Sequence, residues 1–177
     1  ARRMQGQTDI PLNAEGERQA QALGERLKNE PLHWDAIYSS DLIRASTTAE
    51  YIRIALGLKE VRTNPLLRER KFGAAEGLTP EERQEKFASA LELEAQFESE
   101  QKVLQRGQRF LVEIVLKHEG KHLLVVSHGG FLKKFLKLLV PQLPQDYIAN
   151  TALTVLKKEL DGWNVILHNC TKHYTST

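Results

Sequence analysis

The sequence predicts an α/β protein whose mostly parallel sheet is covered by helices on both faces. Three observations carry this expectation. Amphipathic helical stretches alternate with short apolar runs. Residues 121–127 are apolar almost throughout, as in a strand buried on both faces. The chain closes on two strand-like runs joined at Asp161-Gly162, a strong hairpin signal.

The elements follow in order. Residues 5–13 hold the turn formers Gly6, Thr8, Asp9 and Pro11 and are expected as a polar loop. Asn13 is the expected N-cap of a first helix, with Glu15 and Glu17 favoured by its positive end. Ala20, Leu23 and Leu27 give that helix a core-facing stripe. Residues 35–40 are a short strand ending in Ser39-Ser40. A second helix is expected from Asp41 through Arg53, ended by Gly57. Val61 opens a brief extended piece that Pro65 interrupts, and 66–78 reads as an irregular, highly charged segment. Thr79-Pro80-Glu81-Glu82 starts a helix expected to run to about Phe97. Its many glutamates read as a solvated face. Residues 100–119 form another helix, with Val103, Phe110, Leu111 and Ile114 available to a core and Gly120 as its stop. After the 121–127 strand come His128-Gly129-Gly130 and a helix over 131–140, stopped by Pro141, with Lys133, Lys134 and Lys137 on its wet face. The last two strands are expected over 151–160 and 163–169.

Composition limits the function classes. A chain of 177 residues and 20.2 kDa fits one domain. With 41% hydrophobic and 27% charged residues it is ordinary globular material, neither disordered nor fibrous. A net charge of +2 gives no overall attraction to nucleic acid, so an anion site here has to be local. The single Cys170 excludes an internal disulfide and a cysteine-rich zinc site. No apolar run approaches the roughly 18 residues that span a bilayer. The opening stretch from Ala1 to Gln5 has no apolar signal core. A cytoplasmic protein without a membrane partner is expected. The chain opens on Ala1 inside polar sequence, as though a segment preceded it.

In parallel sheets, ligands bind beyond the carboxyl ends of the strands. Two places qualify: residues 39–44, which carry Arg44, and residues 127–130, which carry His128 and Gly129. A helix N-terminus beside glycines offers amides to an anion, arginine binds it bidentately, and histidine hydrogen-bonds it or moves a proton. Glu69 adds a carboxyl group suited to general acid work. Taken singly, each has a simpler reading. Arg44 fits a surface ion pair, Glu69 between Arg68 and Arg70 fits a solvated charge cluster, and a lone histidine after a strand is usually structural.

The joint pattern is more specific. In order come Met4-Gln-Gly-Gln-Thr-Asp-Ile-Pro-Leu-Asn-Ala-Glu-Gly16, Ile37-Tyr-Ser-Ser-Asp-Leu-Ile-Arg-Ala-Ser-Thr-Thr-Ala49, Leu67-Arg-Glu-Arg-Lys-Phe-Gly73 with Glu76-Gly77, and Val125-Val-Ser-His-Gly129. Together they resemble the histidine phosphatase superfamily across essentially the whole chain. The resemblance implies a three-layer αβα, phosphoglycerate mutase-like fold. It also implies a metal- and cofactor-free phosphatase acting on small phosphorylated metabolites through phosphohistidine. Arg44 then matches the second pocket arginine, His128 the second pocket histidine, and Glu69 the proton donor to the leaving oxygen. Gly6, Gln7 and Thr8 match the loop that touches substrate beyond the phosphate, and Gly129 would contribute a backbone N–H. The motifs look most like fructose-2,6-bisphosphatase-like regulators and are also similar to broad-specificity phosphatases. The short acidic 79–98 segment argues against a mutase, which remains one alternative; a non-catalytic relative that binds phosphate esters or a protein is the other.

The sequence departs from the family at one decisive point. The family nucleophile lies in an Arg-His-Gly motif on a central first strand, and no such tripeptide occurs among these residues; the six histidines are His33, His118, His122, His128, His168 and His173. The expectation is therefore a single domain over 1–177 that lacks this strand. A loop before Glu98, where the family carries Gly-Gly-Glu-Ser and this sequence only Glu98-Ser99, is a second expected omission. A natural product heavier than 20.2 kDa would fit both.

Overall fold

The computed structural model describes residues 3–144 and 146–174. Ala1 and Arg2 of the polar opening stretch lie outside them. The fold is α/β, with helices flanking parallel and antiparallel strands. α1 (Ala14–Lys28) begins where Asn13 accepts the Gly16 amide through its side chain at 2.9 Å, as the sequence predicts. β1 (Ala36–Ser39) leads into α2 (Ile43–Leu56), which stops at Gly57 in the left-handed region. β2 (Val61–Thr63) and two short 3-10 turns precede α3 (Pro80–Lys86) and α4 (Ala90–Glu94). α5 (Glu100–Lys117), β3 (Leu123–Val126) and α6 (Gly129–Leu139) follow, and the hairpin β4 (Leu153–Glu159) with β5 (Gly162–Cys170) closes the order.

The three parallel strands stand in the order β2-β1-β3, with Ile37 opposite both Val61 and Leu124. Strand alternation sends side chains to two separate cores. Ala36, Tyr38, Leu123 and Val125 pack with Val103, Phe110 and Ile114 of α5 and with Phe131 and Phe135 of α6. Ile37, Leu124 and Val126 pack on the other face with Leu23 and Leu27 of α1 and Ala49 and Ile52 of α2. Three layers result, helix on sheet on helix.

Four expectations are corrected. The helix predicted over 79–97 is two helices. Thr79 and Glu82 form a reciprocal capping box that starts α3, Phe87 turns inward in extended conformation and ends it, and Ser89 caps α4. Asp41 does not start α2. Leu42 is its N-cap, and the Ile43 amide donates to Asp9 Oδ1 at 2.7 Å. The hairpin closes on the pair Glu159–Gly162, so Leu160 and Asp161 make the turn, one residue earlier than the Asp-Gly signal suggests. Finally, β3 has helices on both faces but is buried less completely than expected. Only Leu124 is buried in it, because β3 pairs with β1 alone among the described residues and its other edge makes no ladder. The hairpin forms a separate two-stranded sheet whose Leu153 packs on the same cluster as Leu124 and Val126.

Phe110 is fully buried and meets Tyr38 edge-on at 5.7 Å between ring centroids. Phe110→Ala should cost about 3–5 kcal/mol, because truncation leaves a cavity between α5 and the sheet. Urea unfolding monitored by circular dichroism would measure it, and a loss below about 1 kcal/mol would contradict this packing.

Candidate active site

Three segments converge at the carboxyl ends of β1 and β3. The Ser40 amide donates to Val126 O at 2.9 Å, which locks the two strand ends together. Ser127 Oγ donates to Leu67 O at 2.7 Å, which draws the 66–69 turn to the same end.

His128 is the N-cap of α6 in extended backbone conformation. It is 7% exposed, and its Nε2 is buried without a hydrogen-bond partner. Burial lowers its pKa to about 3, helped by the positive charges of Arg44 and Arg106 and opposed by Asp41. The ring is therefore neutral near pH 7. A buried polar atom with no partner needs a physical explanation, and Trp34 Nε1 and His168 Nε2 share this state among the described residues.

Arg44 lies in the first turn of α2. It donates to Gly6 O at 2.6 Å and Thr8 O at 3.0 Å, so the guanidinium holds the 6–8 loop. Desolvation lowers its pKa, against the pull of Glu69, Asp9 and Glu76. Gly6 has a φ of 56°, and a side chain there would overlap Glu76. Glu76 accepts from the Thr8 amide and hydroxyl and from the Phe72 amide. Burial opposes ionisation of Glu76, but these hydrogen bonds outweigh it and hold its pKa below the usual range. Gln7 Nε2 donates to Glu69 O at 3.0 Å.

Glu69 is no solvated cluster. Its flanking arginines turn elsewhere: Arg68 grips Asp41 with two hydrogen bonds, and Arg70 donates to Glu98 O and lies over the Phe97 ring. The Glu69 carboxylate points inward. Oε1 accepts from the amides of Arg70 at 2.7 Å and Phe131 at 2.8 Å, and Oε2 from Gly130 at 3.0 Å. The amides at the start of α6, expected to face an external anion, are thus partly taken by the protein's own carboxylate. Gly129 is the first residue of that helix.

The structure brings Arg44, Glu69, His128, Gly129 and the Gly6–Gln7–Thr8 loop together. The other five histidines make their contacts elsewhere. His118 bonds Tyr38, His122 meets His33 O, His168 meets Thr154 and His173 lies by Arg26. Sequence reasoning missed Asp9, Glu76 and Arg106 as organisers. Glu76 stood in a recognised motif without a role. Asp9 likewise stood in the first motif without this role, and Arg106 has no sequence signal, since its carbonyl partners lie 37 to 40 residues away. Among the described residues no group of three or more His, Cys, Asp or Glu is placed to hold a metal ion. No helix among them is long and apolar enough to cross a membrane.

Comparison with known proteins gives a consistent result. The profile of the histidine phosphatase superfamily (branch 1) matches residues 1–171. The uncharacterized phosphatase PhoE of Bacillus subtilis is 33% identical over 172 residues, covering 96% of this chain and 86% of its own. A metal-independent phosphoserine phosphatase of Arabidopsis thaliana is 34% identical over 185 residues, covering 95% and 76%. In three dimensions the chain resembles mycobacterial glucosyl-3-phosphoglycerate phosphatase in complex with VO3, with a TM-score of 0.83, 27% identity, and coverage of 95% of this chain and 91% of that one.

Two tests follow from the geometry. A Cβ at position 130 would lie 2.7 Å from Glu69 Oε1, so Gly130→Ala should dislodge the carboxylate. Faster exchange of the Phe131 amide would report it. The second test uses pH. His128 binds its proton less readily folded than unfolded, so the unfolded chain takes up more protons between pH 6.5 and about 3. Stability should fall as pH falls through that window, and His128→Gln should flatten the fall. Equal slopes in urea titrations of both proteins would exclude the assignment.

Proposed function

The chain belongs to the histidine phosphatase superfamily, and from that premise we propose that it hydrolyses phosphate monoesters of small metabolites through a phosphohistidine. The observation that carries the reading is the buried, unpartnered Nε2 of His128 in the field of Arg44 and Arg106, beside the Glu69 carboxyl group.

The chemistry assigns each group a task. Neutral His128 donates a hydrogen bond to a non-bridging phosphoryl oxygen, and a bound dianion counters the burial and the positive charges of Arg44 and Arg106 that keep the ring unprotonated. Arg44 adds positive charge where the transition state spreads negative charge over the equatorial oxygens. Glu69 acts in its protonated form: the proton on Oε2, the oxygen that accepts only the Gly130 amide, passes to the leaving oxygen. A histidine nitrogen forms the N–P bond as the ester P–O bond breaks. Water then attacks phosphorus, the N–P bond breaks, and Glu69 recovers a proton from that water.

The nucleophile needs a home. We infer that a further strand, bearing this histidine, pairs with the free edge of β3 beside the hairpin. The support is the half-buried state of β3, its lack of a second partner among the described residues, and the packing of Leu153 on the same cluster as Val126. A strand here would lie at the carboxyl-end site of β1 and β3.

Substrate identity is read from the relatives' names only as a range. The Arabidopsis relative is named for phosphoserine and the mycobacterial one for glucosyl-3-phosphoglycerate. Fructose 2,6-bisphosphate and 3-phosphoglycerate complete a panel that separates the bisphosphatase and mutase alternatives. The natural gene product should release orthophosphate and trap an acid-labile phosphohistidine. That residue should map to a peptide other than the one carrying His128. His128→Ala should slow turnover by about two to three orders of magnitude and Glu69→Gln by about two. Absence of both turnover and phosphoenzyme across the panel would replace this reading with the non-catalytic one.

A further inference from the structure

Arg106 enters the site from α5 and uses every donor it has. Nε and Nη2 donate to the two carboxylate oxygens of Glu98, at 3.0 and 3.1 Å. Nη1 donates to Leu66 O at 2.7 Å and Arg68 O at 2.6 Å, and Nη2 to Glu69 O at 3.2 Å. A guanidinium offers five N–H groups in a fixed plane, and five acceptors meet them here. The side chains of Arg106 and Glu98 are 12% and 14% exposed. The guanidinium also lies over the Phe131 ring, 4.7 Å from its centroid.

These contacts form a closed circuit. Arg106 holds the carbonyl of Glu69 and covers the ring of Phe131, while the Phe131 amide holds the Glu69 carboxylate. Gln7 of the substrate loop donates to the same Glu69 carbonyl. A buried ion pair is a poor source of stability compared with apolar packing, so its use here points to geometry. We propose that Arg106, braced by Glu98, is the positioning residue that fixes the 66–69 turn. It thereby seats Glu69 on the start of α6 and offers the substrate loop its dock. Lysine cannot replace it, since a point charge with three donors cannot span three carbonyls and a carboxylate.

This inference rests on the phosphatase reading for its consequence but not for its test. Amide exchange is followed in the substrate-free protein for Gly130 and Phe131, with the buried Ile52 amide on α2 reporting global opening. In Arg106→Lys, Gly130 and Phe131 should lose about ten-fold or more protection beyond any change at Ile52. Protection that falls equally at all three positions would overturn the proposal, since that is what a purely structural staple gives. Glu98→Gln keeps the shape and one strong acceptor and should produce the same selective loss, more weakly. It carries the comparison if the lysine variant does not fold, with a uniform change again the refuting result. In the active gene product, Arg106→Lys should lower kcat about 10- to 100-fold on an aryl phosphate while KM moves less than about three-fold. An unchanged kcat would also overturn it. A wild type without turnover would count against the phosphatase reading alone, because the exchange measurement needs no substrate.

Discussion

The site is built around one hydrogen-bonded carboxylate. Glu69 lies across the start of α6, and the amides of Gly130 and Phe131 hold it there. A carboxyl oxygen at a helix N-terminus takes up amides that the helix itself leaves unsatisfied. The consequences radiate outward. Position 130 has no room for a side chain, the 66–69 turn must approach β3, and the Glu69 carbonyl is left facing Gln7 and Arg106. One contact thus sets the spacing between the proposed proton donor, His128 and the substrate loop.

The 6–8 loop is held from three directions. Glu76 takes the Thr8 amide and hydroxyl, Arg44 takes the carbonyls of Gly6 and Thr8, and Asp9 caps α2 at Ile43. The last two bonds tie the loop to the helix that carries Arg44. An anion drawing on the free edge of Arg44 would therefore find its position already set by the loop, which lowers the ordering cost of binding. The electrostatics are balanced to match: Arg44 and Arg106 act on His128, while Asp41, anchored by Arg68, moderates them.

Much of this was legible in the sequence where side-chain chemistry is local. Asn13, the Thr79–Glu82 capping box and the strand-to-helix passage at His128 each carry their partner within a few residues. The four motifs likewise mark Arg44, Glu69, His128, Gly129 and the Gly6–Thr8 loop, which the fold assembles. Legibility ended where tertiary contacts decide. Phe87 breaks a predicted helix because it is buried, a fact that helical periodicity does not contain. Asp41 looks like an N-cap but is taken by Arg68, 27 residues away, and Asp9 caps the helix from 34 residues away. Arg106 resembles any polar residue on an amphipathic helix until the carbonyls of Leu66, Arg68 and Glu69 are in place.

The open edge of β3 and the unpartnered Nε2 of His128 belong to one physical problem. A strand with one free edge at a core position leaves backbone groups without ladder partners, and a buried imidazole nitrogen without a bond carries a desolvation cost. His128 lies two residues beyond the carboxyl end of the strand that carries the open edge. A neighbouring strand would satisfy the edge, and an anion held between it and Arg44 would satisfy the ring. Neither correction requires the 66–69 turn, the 6–8 loop or α6 to move, because each is already fixed by contacts that do not involve the free edge. Among the described residues these supports leave the free edge of β3 accessible to the proposed strand.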